Sequence, residues 1–335
     1  MKKSALATLA ALVVTAPLLS ACSGEDGPSI TVYNAQHEQL LEEVAPLFEE
    51  ETGIEVKLRS GSDLELANQL VQEGEASPAD VFLTENSPAM SLVDQAGLFA
   101  PVDQKTLDLI PSQFVPADKR WIGFLARSTV VIYNTDQLSP EEMPESILDF
   151  AKPEWAGRIS YSPTGADFQA IVSAVLELEG EDATRDWLQG LADNGTVYDG
   201  NNVVLESVNA GEVEAGIAYH YYWYRDQKES GENSDSSELY FFGDRDPGAF
   251  VSVSGAGVLA SSDRQDDAQA FVEFLASTEG QQAIADSYAL EYPLNPEVSL
   301  APPVKPFDEL EPPRVDVSSL NSEQVIELMQ DAGLL

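Results

Sequence analysis

The chain has 335 residues, of which 43% are hydrophobic, and its formal net charge is −41. This length suits two domains of ordinary size, with enough apolar residues for packed cores. The charge excludes nucleic acid as a default partner, because a polyanion would repel the protein, and it argues against binding through a basic membrane patch.

The first 21 residues have the pattern of a secretory signal peptide. Lys2 and Lys3 precede an apolar run over 5–19 that is too short to span a membrane. The run closes with Leu-Ser-Ala-Cys, which resembles the lipobox of bacterial lipoproteins, and Cys22 is the only cysteine. We therefore expect removal of residues 1–21, a lipid on Cys22 that anchors the protein outside the cytoplasmic membrane, and a linker over 22–28. An unmodified signal peptide is the alternative.

Strands and helices alternate over the next part of the chain. Strands are predicted over 29–34, 54–58 and 79–83, and helices over 37–51, 63–73 and up to about residue 96. This alternation predicts a parallel sheet with crossover helices, in which ligands bind beyond the carboxyl ends of the strands. His37 and Glu85 both follow strand ends, so we expect them to face the same crevice.

A second lobe is predicted to begin near residue 126. Two strands, 121–125 and 129–133, are expected on either side of Ala126-Arg127-Ser128, and a long strand over 249–259 suits a return to the first lobe. Further strands are predicted over 158–162, 197–201, 213–219 and 240–242, and helical segments over 139–150, 168–178, 183–192, 203–210, 268–276, 281–288 and 322–332.

The stretch 218–224 is the most unusual in the sequence, because five of its seven residues are tyrosine or tryptophan. A free phenol has a pKa of about 10. Only a highly charged cation that prefers oxygen ligands would ionise two neighbouring phenols near neutral pH, and Fe(III) is the commonest such cation. Both Tyr221 and Tyr222 can point to one site only if a turn or helix begins there, because side chains alternate along a strand. The alternative is an aromatic cluster that packs a helix onto a sheet.

Five short segments match the motifs of a known family in the same order. They are Ile30-Thr31-Val32-Tyr33-Asn34-Ala35-Gln36-His37, Thr84-Glu85, Tyr221-Tyr222-Trp223-Tyr224, Asp246-Pro247-Gly248-Ala249 and Glu291-Tyr292-Pro293-Leu294. As a set they resemble the ferric-ion-binding proteins of bacterial ABC importers. The resemblance implies a two-lobed α/β periplasmic-binding-protein fold of type II, with a mixed sheet flanked by helices in each lobe and the ligand in the interlobe cleft. It implies a first lobe over 29–127 and 252–302 and a second lobe over 128–251 and 303–335.

The resemblance also implies a set of metal ligands. In that family one histidine and one carboxylate of the first lobe, with two adjacent tyrosines of the second, hold Fe(III). The matching positions are His37, Glu85, Tyr221 and Tyr222. One carboxylate and two phenolates carry three negative charges, which suits a hard trivalent ion. Because the ligands are divided between lobes, closure is expected to depend on the metal.

Four ligands leave two positions of an octahedron open. In the family these take water and a small anion such as phosphate or carbonate, held at a helix N-terminus. The matching positions are Thr164, Gly165 and Ala166, with Asn201 as a further anion contact.

The sequence departs from the family pattern near this anion site. Tyr219 stands where relatives often carry Asn, and Asp167 adds a negative charge. Tyr219 and His220 are possible extra metal ligands. For Arg127, an interlobe ion pair is expected rather than an anion contact.

The function implied is that of a monomeric extracytoplasmic lipoprotein that binds Fe(III) and delivers it to an ABC-type permease. A binding protein of the same fold for a small anion or organic ligand is the alternative. An enzyme is not expected, because no nucleophile is accompanied by a base and an orienting partner.

Overall fold

The computed structural model describes residues 27–317 and 320–335. The predicted signal peptide and Cys22 lie outside the described residues. No helix within these ranges is both long enough and apolar enough to cross a membrane.

The described residues contain ten strands and eleven α-helices. The strands are β1 Ser29–Asn34, β2 Glu55–Ser60, β3 Val81–Leu83, β4 Trp121–Asn134, β5 Ile159–Tyr161, β6 Thr196–Val197, β7 Ala215–Tyr219, β8 Ser237–Tyr240, β9 Val251–Val258 and β10 Tyr292–Pro293. The helices are α1 Glu38–Thr52, α2 Asp63–Glu73, α3 Ser87–Gln95, α4 Gln104–Leu107, α5 Ala166–Glu179, α6 Glu181–Asn194, α7 Asn201–Asn209, α8 His220–Glu229, α9 Gln265–Ala276, α10 Thr278–Asp286 and α11 Ser322–Asp331.

The strands form a mixed sheet in the order β2-β1-β3-β9-β4-β7-β5-β6, and β8 and β10 also pair with β4. Strand β1 is parallel to both β2 and β3, as the alternation of strands and helices predicts. Strand β9 runs antiparallel to β3 and to β4. The carboxyl ends of β1 and β3 therefore lie side by side, and the residues that follow them emerge at the same edge of the sheet.

Strand β4 connects the two halves of the sheet. The prediction of two strands here was wrong, because one continuous and completely buried strand runs from Trp121 to Asn134. Its first half pairs with β9 and β10, and its second half pairs with β7 and β8. Arg127, in the middle, does not interrupt the strand because carboxylates described below neutralise its charge.

Two large apolar clusters pack against the two halves of the sheet. Leu40, Phe82 and Phe271 belong to the first, which includes residues of α1, β3 and α9. The second contains residues of α5, α6 and α11. Near the end of the chain, Val304 and Val317 pack in the first cluster. The lobe boundaries that the resemblance implies stay a prediction.

The segment over 139–150 is helical with proline breaks, as predicted, and its helical turns are 3₁₀ rather than α. It forms short 3₁₀ turns at Pro140–Glu142 and Ile147–Ala151, and a third follows at Pro153–Trp155. Proline lacks the backbone N–H that a continuing helix requires, so repeated prolines restrict this segment to single turns. The strand expected over 240–242 lies earlier, as β8.

Candidate metal centre

His37 lies between β1 and α1, directly before the first helical residue. Gln36 fixes this position, because its side-chain oxygen accepts the His37 backbone N–H (2.7 Å) and its amide donates to Ser254 Oγ (2.8 Å). The imidazole Nε2 lies 3.5 Å from a carboxylate oxygen of Glu85 and 3.5 Å from one of Glu291. Burial lowers the pKa of His37 to about 4, although the charge of Glu291 opposes this shift. The ring is therefore neutral near pH 7, which is the form that binds metal ions.

Glu85 lies between β3 and α3, beside His37. Asp63, the first residue of α2, holds the backbone there, because its carboxylate accepts the N–H groups of Glu85 (2.8 Å) and of the next residue (2.9 Å). Glu85 Oε1 lies 2.9 Å from the guanidinium of Arg127 and accepts a hydrogen bond from the Tyr221 hydroxyl (3.3 Å). Burial raises the pKa of Glu85, and the charge of Arg127 opposes this shift. The structure thus brings the two candidates of the first lobe together.

Tyr221 and Tyr222 lie on the first turn of a helix, because β7 ends and α8 begins immediately before them. Their side chains therefore do not point to opposite faces, as they would in a strand. The ring centroids are 4.2 Å apart. The Tyr222 hydroxyl donates to Asp167 Oδ2 (2.9 Å), and the single proton of the Tyr221 hydroxyl is shared between Asp167 Oδ2 (3.3 Å) and Glu85 Oε1 (3.3 Å). Burial raises the pKa of both phenols well above its usual value, and the charge of Asp167 raises it further, so both phenols are protonated in the metal-free protein.

Asp167 is the acceptor on which the second-lobe candidates converge. It is the second residue of α5 and is buried. Besides the two phenols, its carboxylate accepts amide hydrogen bonds from Asn201 (2.9 Å) and Asn86 (3.3 Å). Burial and the charge of Glu85 raise the pKa of Asp167 to about 6. In the sequence, Asp167 was noted for its negative charge and was not predicted to be a ligand. The signal in the sequence that could have identified Asp167 as a site residue was its position at a helix start, next to the residues predicted to bind an anion.

The residues predicted to bind an anion surround this same carboxylate. Gly165 directly precedes α5, and Ala166 is its first residue, as expected for a helix N-terminus. Thr164, one position earlier, is exposed. The amide of Asn201 is already bonded to Asp167. The Asn201 amide, which was predicted to contact a bound anion, therefore contacts the carboxylate of Asp167 in this structure.

Sequence and structure comparisons identify the relatives of this chain. A family model described as bacterial extracellular solute-binding protein matches residues 76–313. The Fe(3+)-binding periplasmic protein of Serratia marcescens is 52% identical over 330 residues, which are 98% of this chain and 97% of that protein. The major ferric iron-binding protein of Neisseria meningitidis serogroup B is 40% identical over 97% of this chain and 96% of its own length. The crystal structure of iron-bound HitA from Pseudomonas aeruginosa has a TM-score of 0.86 at 40% identity and covers 92% of this chain and 100% of that chain.

The chain belongs to the bacterial extracellular solute-binding proteins. Among them it belongs with the ferric-ion-binding proteins, as the resemblance in the sequence implied. The structural similarity also confirms the two-lobed α/β periplasmic-binding-protein fold.

Two charged residues of this solute-binding protein complete the centre. Arg127 is fully buried on β4 and contacts Glu85, Glu291 and, at 3.7 Å, Asp167. An interlobe ion pair was expected for Arg127, and of these three carboxylates only Asp167 lies in the predicted second lobe, so the 3.7 Å contact is the one that corresponds to this expectation. Glu291 lies at the start of the last family motif, yet its role was not recognised in the sequence. Its burial raises its pKa, but the charge of Arg127 outweighs this effect, with a smaller contribution from the charge of Arg225, and keeps the pKa low, so Glu291 is ionised.

The two possible extra ligands of this solute-binding protein are engaged elsewhere. The backbone N–H of Ser128 donates to His220 Nδ1 (3.2 Å), and His220 Nε2 donates to the carbonyl of Leu290 (3.0 Å). Burial lowers the pKa of His220 to about 3. The Tyr219 hydroxyl donates to the backbone carbonyl of Asp167 (3.4 Å). Neither side chain could reach a metal ion without breaking these hydrogen bonds.

Within 27–317 and 320–335, no group of three or more His, Cys, Asp and Glu side chains is arranged to hold a metal ion by itself. This observation agrees with the geometry above, because two of the candidate donors are phenols.

Proposed function

We propose that this protein binds Fe(III) between its two lobes and is the substrate-binding component of an iron importer. The convergence of one imidazole, two carboxylates and two phenols carries the proposal. His37 Nε2, Glu85 Oε1 and the Tyr221 hydroxyl form one side of the group, and the Tyr222 hydroxyl and Asp167 Oδ2 form the other. Their closest separations lie between 2.9 and 3.5 Å. The relatives named for ferric iron favour this cargo over a small anion or an organic ligand.

The chemistry of these five donors suits a hard trivalent cation. Four of them are oxygen atoms, and all four carry negative charge once the phenols lose their protons. An ion of charge +3 can replace those protons, whereas a divalent ion compensates less of the charge. Fe(III) therefore enters this site as cargo that displaces two phenolic protons.

Asp167, the fifth donor, reduces the number of metal ligands that must come from solution. With His37, Glu85, Tyr221 and Tyr222 as ligands, an Asp167 carboxylate leaves one position of an octahedron for water or a small anion. The helix start at Gly165-Ala166 and the amide of Asn201 support this carboxylate in the place where the family pattern predicts an external anion.

The location follows from the relatives and the N-terminal sequence together. The relatives are named as periplasmic proteins, which supports a location outside the cytoplasmic membrane. A lipid on Cys22 would tether the monomer there, beside the permease that receives the iron. The proposed activity is binding and delivery, without a chemical conversion of the cargo.

Loading with Fe(III) and recording a visible spectrum tests the proposal. We expect the purified protein to develop a phenolate-to-iron charge-transfer band and to unfold at a higher temperature. Tyr222→Phe should lose about half of the band or more, because one of the two phenolates is removed and iron binding is weakened. Tyr198→Phe is the matched control, since Tyr198 bonds Glu212 outside the centre. Wild-type protein that stays colourless and is not stabilised by Fe(III) would refute the function.

The visible spectrum reports iron binding and not where the protein is located, so the lipid anchor is tested by a separate measurement. Cell fractionation of wild type and Cys22→Ser should show release of the variant from the membrane fraction. Equal membrane attachment of the two proteins would contradict the anchor and would leave the iron site unaffected.

A further inference from the structure

Arg225 lies outside the proposed set of ligands but in contact with one of them. It follows the tyrosine pair on α8, and its guanidinium carbon is 4.4 Å from the ring centroid of Tyr221 and 4.5 Å from that of Tyr288. Its Nε–H donates to the carbonyl of Ala289 (3.1 Å). The guanidinium is thus held between two tyrosine rings by a backbone hydrogen bond on the segment that precedes β10.

Arg225 and Arg127 differ in whether carboxylates pair directly with their guanidinium groups. Arg127 also lies over the Tyr221 ring, at 5.6 Å, but carboxylates on both sides neutralise it. No ion pair to Arg225 is formed within the described part of the chain, and its buried Nη2 has no hydrogen-bond partner there. The two tyrosine rings are therefore close contacts of this cation, whose charge also lowers the pKa of the nearby Glu291 and Glu85 without a direct ion pair among the described residues.

We propose that Arg225 is a positioning and specificity-determining residue that stabilises the negative charge of the iron-bound Tyr221 phenolate. The inference rests on the proposed function. A phenolate spreads its charge over the ring, so a cation on the ring face attracts it more strongly than it attracts a neutral phenol. Arg225 thereby favours cargo ions that bind Tyr221 as an anion. Tyr288, on the opposite face, keeps the guanidinium in this position.

The proposal predicts a spectroscopic effect that a purely structural role would not produce. In the charge-transfer transition an electron leaves the phenolate ring for the iron. A positive charge against that ring lowers the energy of the filled ring orbital and so raises the transition energy. Loss of the charge should move the band to longer wavelength, by about 10 nm for a cation at this distance in a partly screened site.

The test compares two substitutions at the same position. Arg225→Gln removes the charge but keeps an amide that can donate to the Ala289 carbonyl, and Arg225→Lys keeps the charge but loses the planar guanidinium. The control is Lys228→Gln. Lys228 lies on the same helix and donates to the carbonyl of Ser287 (3.2 Å) on the same segment, without a ring contact. Each protein is loaded with Fe(III), and its band position and iron affinity are measured.

We expect Arg225→Gln to show the band at longer wavelength and iron affinity lower by about tenfold. Arg225→Lys should remain close to wild type in band position, and Lys228→Gln should match wild type in both measurements. An unshifted band in Arg225→Gln overturns the inference while leaving the iron site intact. Equal shifts in Arg225→Gln and Arg225→Lys overturn it as well, because they would show that packing and not charge is responsible.

Two further outcomes keep the test decisive. If wild type shows no charge-transfer band, the proposed function fails and this inference fails with it. If Arg225→Gln does not fold, as judged by circular dichroism of the metal-free protein, Tyr288→Leu replaces it. That substitution releases the guanidinium from one side, and an unchanged band and affinity would then overturn the proposal.

Discussion

The residues of the proposed metal centre are held in different ways in the predicted first lobe and in the predicted second lobe. In the first lobe, His37 and Glu85 follow parallel strands, and the fully charged Arg127 and Glu291 fix them electrostatically. In the second lobe, the donors lie on first helical turns and are held by hydrogen bonds from phenols to Asp167. The first half is therefore charged before iron arrives, whereas the second half is held by protons that iron must displace. Iron binding should therefore change the electrostatic pairing of charged groups in the first lobe and the protonation of the phenols in the second lobe.

Breaking the electrostatic pairing of the first lobe should have the largest effect on stability. Arg127→Met leaves the completely buried Glu291 without the charge that keeps its pKa low, so burial of this carboxyl is no longer compensated by its partner. We expect the free energy of unfolding to fall by about 3–5 kcal/mol, as for other buried pairs that lose one member. Urea unfolding of the metal-free protein measures this change.

The control for that substitution is Arg264→Met. Arg264 is exposed and lies 3.9 Å from Asp267, so its loss should change stability by less than about 1 kcal/mol. The double variant Arg127→Met/Glu291→Met should recover much of the lost stability. A double variant no more stable than Arg127→Met would contradict the electrostatic account.

In the second lobe, Asp167→Asn should weaken iron binding most without unfolding the protein. The amide retains an acceptor for the phenols but cannot supply an anionic oxygen to the ion. We expect iron affinity to fall by about a hundredfold or more. Competition against a chelator of known strength, with and without phosphate, measures the loss.

The response to phosphate sharpens that prediction. Because Asp167 stands where the family pattern predicts an anion, phosphate should restore affinity in Asp167→Asn more than it raises affinity in wild type. Equal responses of the two proteins would show that Asp167 does not occupy that place. Glu177→Gln, farther along the same helix, provides the matched control.

Proton release upon iron binding should report the same difference between lobes. Both phenols have raised pKa values, so they release about two protons per iron near pH 7.5. Asp167, with a pKa of about 6, adds a third proton when the pH falls below that value. Iron affinity should therefore decrease with falling pH, and more steeply below about pH 6. His37, with a pKa of about 4, stays neutral over this range.

A pH-stat titration counts the released protons directly. Release of fewer than one proton per iron at pH 7.5, or affinity that does not change between pH 7.5 and 5, would contradict the protonation account.

A carboxyl outside the centre should show the smallest effect. Burial and the charge of Asp118 raise the pKa of Asp94 to about 6. Because the folded pKa exceeds the unfolded value of about 3.9, ionised Asp94 opposes folding, and its cost develops as the pH rises from about 4 to above 6. Asp94→Asn should therefore raise the unfolding temperature at pH 7.5 and have little effect at pH 4. A gain of equal size at both pH values would contradict the assignment.

The sequence by itself predicted the elements that depend on local pattern. Alternating strands and helices gave the parallel order of β1, β2 and β3, and that order placed His37 and Glu85 at one edge of the sheet. The chemistry of adjacent phenols pointed to a trivalent cation. Length and strand pattern indicated two lobes with a crossing near residue 126, and the family motifs then specified the periplasmic-binding-protein fold.

Only the tertiary structure decided which charged groups face those donors. Arg127 looked like a break between strands, yet it continues β4 because Glu85 and Glu291, far from it in sequence, neutralise its charge. Asp167 was noted in the sequence as a charge near the anion site and Glu291 as part of a family motif, but only the fold showed that both carboxyl groups are buried in the same charged cluster. His220, although next to the tyrosine pair, is held by backbone groups of Ser128 and Leu290. Local patterns report how a segment pairs with its neighbours, whereas the environment of a charge depends on contacts between segments that only the folded chain brings together.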